Sequence, residues 1–252
     1  MGKVKQKPDQ KEAAPDWVDC STAKVYESLR DFITEKKLPA GGKINQTELA
    51  KRFRVSRTPV VKALHMLESQ GLVDNLPNRG FFVHRLSILE LMDLFALREA
   101  LDTIIISELT EIITDDQIGR LEAVFDNIGG ADQIEESRYW ECDKIFHSLL
   151  LGFNTNNLAR KVDEHFQIYN RTFIGGLLRK PAETLPEHKK IIQALKDKNR
   201  DAAVDAVVSH ISRSKAFLQE IVKNLQKLGI DPAGIPFNEL PIVSMANMTE
   251  RR

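Results

Sequence analysis

The chain has 252 residues, with 36 Lys plus Arg against 36 Asp plus Glu, so it carries no formal net charge. No run approaches about eighteen uninterrupted apolar residues and the N-terminus lacks an apolar signal region, which argues against a membrane helix and a secretory leader. Cys20 and Cys142 are isolated, with no CxxC spacing, which argues against a disulfide framework and points to a reducing cytoplasm.

Residues 1–20 are polar with scattered Lys and read as a flexible arm. Thr22 is placed to cap a helix over Val25, Leu29, Phe32 and Ile33. Pro39-Ala40-Gly41-Gly42 then breaks it. A short helix is predicted from about Gln46 to Phe53, with Leu49 and Phe53 on one face. Arg54-Val55-Ser56 is the tight turn after it. Ser56 can cap a third helix that carries Pro59 in its first turn, buries Val60, Leu64 and Leu67, and stops at Gly71. Leu72–Asp74 and Phe81–Val83 read as two short strands around Leu76-Pro77-Asn78-Arg79-Gly80, a hairpin with a basic tip. Residues 21–85 thus predict a winged helix-turn-helix. Its third helix opens with hydroxyls and a cation, Ser56, Arg57 and Thr58, where a recognition helix meets base edges.

Charge is distributed unevenly. Residues 21–85 hold 12 basic and 6 acidic residues, and residues 86–252 hold 20 and 26. Overall neutrality hides a basic head on an acidic body, and a basic head is the footprint of a protein that neutralises DNA phosphates.

From about 86 to 230 the chain predicts a second, all-α domain. Amphipathic stretches run over 87–112, 115–128, 132–151, 156–179, 184–198 and 201–228. They are broken at Thr114-Asp115, Gly129-Gly130, Asn154 to Asn157, Lys180-Pro181 and Asn199 to Asp201. No glycine-rich phosphate loop or GxSxG elbow appears. Residues 231–252, with Pro232, Pro236 and Pro241, read as an irregular tail. The fold class is therefore mainly α, a winged head plus a helical bundle.

The chemistry of the body lies in four residues. Asp143 and His147 are four apart on a predicted helix and project from one face. His188 opens a helix after Pro186-Glu187, and His210 lies in the last long helix. One carboxylate and three imidazoles suit a divalent first-row metal such as zinc, nickel or manganese. Spacing alone leaves a surface hydrogen bond, or histidines serving the core, as alternatives. Trp140, Phe146 and Phe166 read as core, and Cys142 as a small, partly buried side chain.

Residues 21–84 resemble the GntR family of bacterial transcription regulators. The run Leu49-Ala50-Lys51-Arg52-Phe53-Arg54-Val55-Ser56-Arg57-Thr58-Pro59-Val60 carries the likeness, followed by Ala63-Leu64, Leu67-Glu68, Gly71-Leu72-Val73 and Arg79-Gly80. The resemblance implies DNA contacts at Arg57 and Thr58 on the recognition helix and at Arg79 and Gly80 in the wing. Two family arginines are replaced, by Val61 and Thr47. Lys62, Arg52 and Arg54 are the candidates to compensate. His65 and His84 belong to this part as structural or backbone-contacting residues.

Residues 86–228 resemble the FCD ligand-binding domain of the FadR-type branch. Leu97 to Asp102, Asp143 to His147, Glu187-His188, Ile191-Ile192, Ala194-Leu195, Asp201 to Ala203 and His210 carry that likeness. The resemblance implies a metal held by Asp143, His147, His188 and His210, and a small organic or sugar acid as effector. Arg98 is the implied partner of the acid's carboxylate, since guanidinium binds carboxylate bidentately. Arg171 is a further pocket candidate, with a surface ion pair as its alternative, and His165 reads as surface or core, with the same cavity as its alternative. Thr155-Asn156-Asn157 stand where the family often has Gly-Asn-Pro, and Asn156 and Asn157 are the implied effector-binding asparagines. Together these features predict a homodimeric, DNA-binding repressor with no membrane attachment. Two other readings remain: a metal-dependent enzyme using the Asp/His site, and a metal-free body serving dimerisation.

Overall fold

The computed structural model describes residues 20–126, 128, 134–159, 161–162, 178–233, 236–237 and 240. The chain divides into two compact units between His84 and Arg85.

The first unit holds three helices and a hairpin: α1 (Cys20–Thr34), α2 (Gln46–Phe53), α3 (Arg57–Ser69), β1 (Val73–Leu76) and β2 (Gly80–Val83). Its core joins Val25, Leu29 and Ile33 of α1 to Val60, Ala63, Leu64 and Leu67 of α3, all within 2% of full burial. Burying such aliphatic side chains stabilises by about 1.5–3 kcal/mol each, so α1 and α3 hold each other. Asn45 Oδ1 accepts from the backbone N–H of Thr47 and of Glu48, both at 3.1 Å, which starts α2. Arg54 ends it in the left-handed region at φ 55. Thr22 differs from its expected role: it lies inside α1, buried, because the helix already begins at Cys20. Ser56 occupies the N-cap position of α3 but makes no capping hydrogen bond.

The strands pair antiparallel with Leu76 opposite Gly80. The tip is thus only Pro77-Asn78-Arg79, and the strands reach two residues further toward it on the β1 side than alternation predicts. Asn78 at φ 61 and Gly80 at φ 91 make that tight reversal. A third segment lines β2, through hydrogen bonds from Gly41 N to Val83 O and from Ile44 N to Phe81 O, both at 2.8 Å. Gly42 lies within it, and a Cβ there would stand 2.8 Å from the Pro39 carbonyl oxygen.

The second unit is helical: α4 (Ile88–Ile112), α5 (Asp115–Val124), α6 (Glu136–Phe153), α7 (Pro181–Lys196) and α8 (Arg200–Lys227). Capping boxes at Ser87/Glu90 and Thr114/Gln117 start α4 and α5, and Asn199 caps α8. Helix α4 packs along α8, α8 against α7, α7 against α5, α5 against α6, and α6 back on α4. That closed set of contacts surrounds Tyr139, Phe146, Leu109, Leu121 and Ile191, all fully buried. Most of the stretch predicted over 156–179 lies outside the described residues.

Two local expectations are corrected. His188 does not open its helix: α7 begins at Pro181, so His188 sits two turns in and Pro186 lies inside. Pro186 removes a ladder hydrogen bond, and the burial of Leu185, Ile191, Ile192 and Leu195 on the same helix outweighs the loss. Most of the tail expected over 231–252 lies outside the described residues, but Phe237 and Leu240 are buried, and Phe237 N donates to Leu86 O at 2.7 Å.

Candidate metal centre and candidate DNA-reading face

In the first unit, Arg52, Arg54, Ser56, Arg57, Thr58, Lys62 and Arg79 are all exposed. Arg57 leads α3, and its Nη2 donates to Gln46 Oε1 at 3.2 Å. The Arg52 guanidinium lies 4.5 Å over the Phe32 ring. Arg79 lies 5.4 Å from the Phe82 ring centre, and Lys43 stands 6.0 Å from the same ring. Gly80 leaves open space where a side chain would stand. Gln46 and Lys43 were not singled out in the sequence, where nothing distinguishes them from other polar residues. His84 Nδ1 lies 2.9 Å from Asp74 Oδ1, and His65 packs its edge on Phe81.

In the second unit, α6, α7 and α8 bring His147, His188 and His210 together. One ring nitrogen from each lies within 4.8 Å of the others. His188 is fully buried, and His147 and His210 are 9% and 6% exposed. Asp143 joins them, its Oδ1 3.5 Å from His188 Nε2 and 3.9 Å from His147 Nε2. The four residues named from sequence therefore converge, although they span 67 positions from Asp143 to His210.

Residues not named from sequence orient the rings. Tyr139 Oη lies 3.0 Å from His188 Nδ1 and 2.8 Å from Thr184 Oγ1, and Thr184 Oγ1 lies 3.3 Å from the Lys180 carbonyl. A carbonyl only accepts. All three contacts are satisfied together only when Nδ1–H donates to Tyr139, Tyr139 to Thr184, and Thr184 to Lys180. That chain leaves the lone pair of His188 on Nε2, a buried atom with no hydrogen-bond partner among the described residues. His210 Nδ1 lies 2.7 Å from Glu187 Oε2. Arg179 grips the same carboxylate through two nitrogens, at 2.9 and 2.5 Å, and Arg213 adds a third bond at 2.6 Å. Burial alone would raise the Glu187 carboxyl, but hydrogen bonds from His210, Arg179 and Arg213 hold it well below the usual carboxylate range. The ionised Glu187 keeps a proton on His210 Nδ1 and directs its Nε2 lone pair away.

Electrostatics fit the same use. Burial, reinforced by the neighbouring Arg98 and histidine charges, drives His147 and His188 well below the ordinary imidazole value. They stay neutral, as metal ligation requires. Burial raises Asp143, with Arg98 opposing. An orphaned buried nitrogen beside a carboxylate and two further imidazoles is a donor set that fits a divalent first-row metal. Asp143, His147, His188 and His210 would hold it, and an ion there would supply a Lewis-acid partner for an anionic ligand.

Arg98 is buried at 7% and close to this cluster. Its Nη2 lies 2.8 Å from His147 Nδ1, and its Nε donates to Asp102 Oδ2 at 3.1 Å. A cavity of about 10 Å³ beside Asp102 and His147 has room for about one water, not for an organic acid. Asn156 is not brought to this cluster. It lines an open pocket with Glu108, Glu111, Ile112 and Thr155, and no histidine among the described residues lines it. Its side chain bonds the Ala159 N–H, so it serves the local chain turn. Asn157 is exposed. Asn154, passed over in the sequence, is the buried asparagine, bonded to the Ile105 carbonyl and Glu108. Arg171, His165 and Phe166 lie outside the described residues. Phe146 is core, packed on His188 at 4.6 Å between ring centres. Cys142 is a free, partly buried thiol raised by burial.

Comparison with known proteins agrees with both halves. Residues 21–83 match the bacterial regulatory proteins of the gntR family, and residues 93–213 match the FCD domain. The chain is 26% identical over 203 residues to the HTH-type transcriptional regulator YdhC of Bacillus subtilis, covering 79% of this chain and 91% of that one. It is 26% identical over 214 residues to the HTH-type transcriptional repressor RspR of Escherichia coli, covering 81% and 88%. The solved structure of Escherichia coli McbR/YncC shares the fold, with a TM-score of 0.60 at 16% identity, covering 81% of this chain and 99% of that one. The chain belongs to the GntR family of transcription regulators, with an FCD domain as its second part. Its family and relatives are transcription regulators, so the metal-dependent enzyme reading is set aside. No helix among the described residues is long and apolar enough to cross a membrane.

Proposed function

We propose that this regulator is a cytoplasmic, homodimeric repressor whose grip on its operator is set by a small carboxylate effector bound at a metal in the second unit. The observation that carries the metal part is His188 Nε2, buried without a hydrogen-bond partner among the described residues and facing Asp143 within the cluster of His147, His188 and His210. Zinc, nickel and manganese all suit that donor set. The name of the relative RspR, a transcriptional repressor, supports repression.

Arg57 and Thr58 read base edges from α3, with Ser56 beside them. Arg79 and the open backbone at Gly80 engage the minor groove or phosphates, and Arg52, Arg54 and Lys62 hold phosphates. Two copies are needed because one recognition helix reads only a half-site, and half-sites recur about one helical turn apart. The acid bridges the metal and Arg98, which requires the cavity of about 10 Å³ beside His147 to widen, and it controls DNA binding by preferring one arrangement of the dimer. Arg171 and Asn157 remain candidates to touch it.

A mobility-shift assay on DNA flanking the gene tests the reading, run on metal-stripped and zinc-loaded protein with a panel of small carboxylic acids. A shift that one acid changes only in loaded protein is the expected result. Absence of any shift at low salt rejects the DNA-reading assignment. No uptake of zinc, nickel or manganese rejects the metal and leaves a body that serves dimerisation alone.

A further inference from the structure

The three histidines do not meet on equal terms. His188 and His210 each have Nδ1 turned to an outward acceptor, Tyr139 and Glu187, which leaves Nε2 with its lone pair. His147 differs, because its Nδ1 faces Arg98 Nη2 at 2.8 Å. A guanidinium carries only donors, so Nδ1 must accept. A neutral imidazole has one nitrogen lone pair, and His147 spends it on Arg98. Its proton then sits on Nε2, the atom that faces Asp143.

We infer that Arg98 and the divalent cation compete for His147, so that metal loading releases Arg98 Nη2 to an anionic ligand. The inference rests on the metal-site reading above and gives it an order, metal first and acid second. If the ion bonds His147 through Nδ1, it takes the lone pair that Arg98 uses. If it bonds through Nε2, the displaced proton sits on Nδ1 and confronts the N–H of Arg98. Either way the contact is lost, and cation and guanidinium repel. Asp102, one helical turn along α4 and itself 13% exposed in its side chain, still holds Arg98 through Nε. The released Nη2 is therefore kept at the site. A carboxylate can accept from it only after the ion has removed His147 from the pairing.

Two measurements on the full chain test this. In metal-stripped, 15N-labelled protein, long-range proton–nitrogen spectra report which ring nitrogen carries the proton. His147, assigned by its loss in His147→Gln, should show an unprotonated Nδ1, with His188 and His210 showing the opposite tautomer. A protonated Nδ1 on His147 overturns the inference. The second measurement is a zinc titration of wild type, the double variant Arg98→Met with Asp102→Asn, and His188→Ala. The double variant removes both charges of the pair, so neither is left buried alone. It should bind zinc at least about tenfold tighter than wild type, the worth of one charge-assisted hydrogen bond. Equal or weaker binding overturns the competition, while weakened binding in His188→Ala would keep the metal reading standing. Failure of wild type to bind any ion overturns both. Should the double variant not fold, the tautomer of wild-type His147 still decides.

Discussion

Glu187 Oε2 lies 2.7 Å from His210 Nδ1, and the same carboxylate is gripped by Arg179 and Arg213. A buried acid so held fixes the proton of the neighbouring imidazole and with it the direction of the lone pair.

Glu187→Gln should therefore act at two levels. Loss of an outer partner of this kind weakens metal affinity by roughly 10–100-fold. Breaking the buried pair with Arg179 should also cost about 3–5 kcal/mol of stability. Calorimetric zinc titration and denaturant melts measure the two effects. Unchanged zinc affinity would show that His210 is oriented by packing alone.

The metal-free protein should lose stability as pH falls below about 6.5. His147 and His188 are depressed from that value. Below it the unfolded imidazoles bind protons that the folded ones refuse, so unfolding is favoured. Each contributes about 1.4 kcal/mol per pH unit within its window. Asp143 and Asp102 are raised, so they work the other way, favouring the folded state as pH falls toward 3.8. Urea melts from pH 7 to 5 should show a shallower slope in His188→Gln than in wild type.

On the DNA side, Arg57→Ala should cost roughly 1–3 kcal/mol at the base contact proposed for it and relax specificity there. Arg79→Ala should instead weaken binding to all sequences alike and reduce the salt slope by about one. Neither should change zinc uptake. Titrations of operator and random DNA at several salt concentrations separate the two patterns.

Gly42→Ala should destabilise the first unit by about 1–3 kcal/mol, since its new carbon would meet the Pro39 carbonyl at 2.8 Å. Thermal unfolding of the variant measures the loss.

The head was legible in the sequence because its signals are local. Asn45 precedes an eight-residue helix whose bounds match the prediction, Gln46 to Phe53. The turn at Arg54 to Ser56 and the reversal at Asn78 to Gly80 rest on residues next to one another. Ser56 shows the limit: its type suits a cap, but a cap is made only when the side chain turns back, and here it does not.

The body divides the same way. Asp143 and His147 share a helix face by period alone, and Arg98 and Asp102 share another. His188 was misplaced as a helix start because Pro186 reads as a breaker, and only the buried face of α7 carries the helix through it. The orienting partners were hidden for a different reason. Tyr139 meets His188 across 49 residues, and Arg98 meets His147 across the same separation. No spacing rule links such pairs; they arise where helices cross. The sequence by itself determined the class, the two parts and the four converging residues, since composition, caps and helical period are local properties. Tertiary structure alone decided which nitrogen each histidine offers, and that Arg98 already occupies one of them, because a ring's lone pair is set by whatever the packed neighbour donates or accepts.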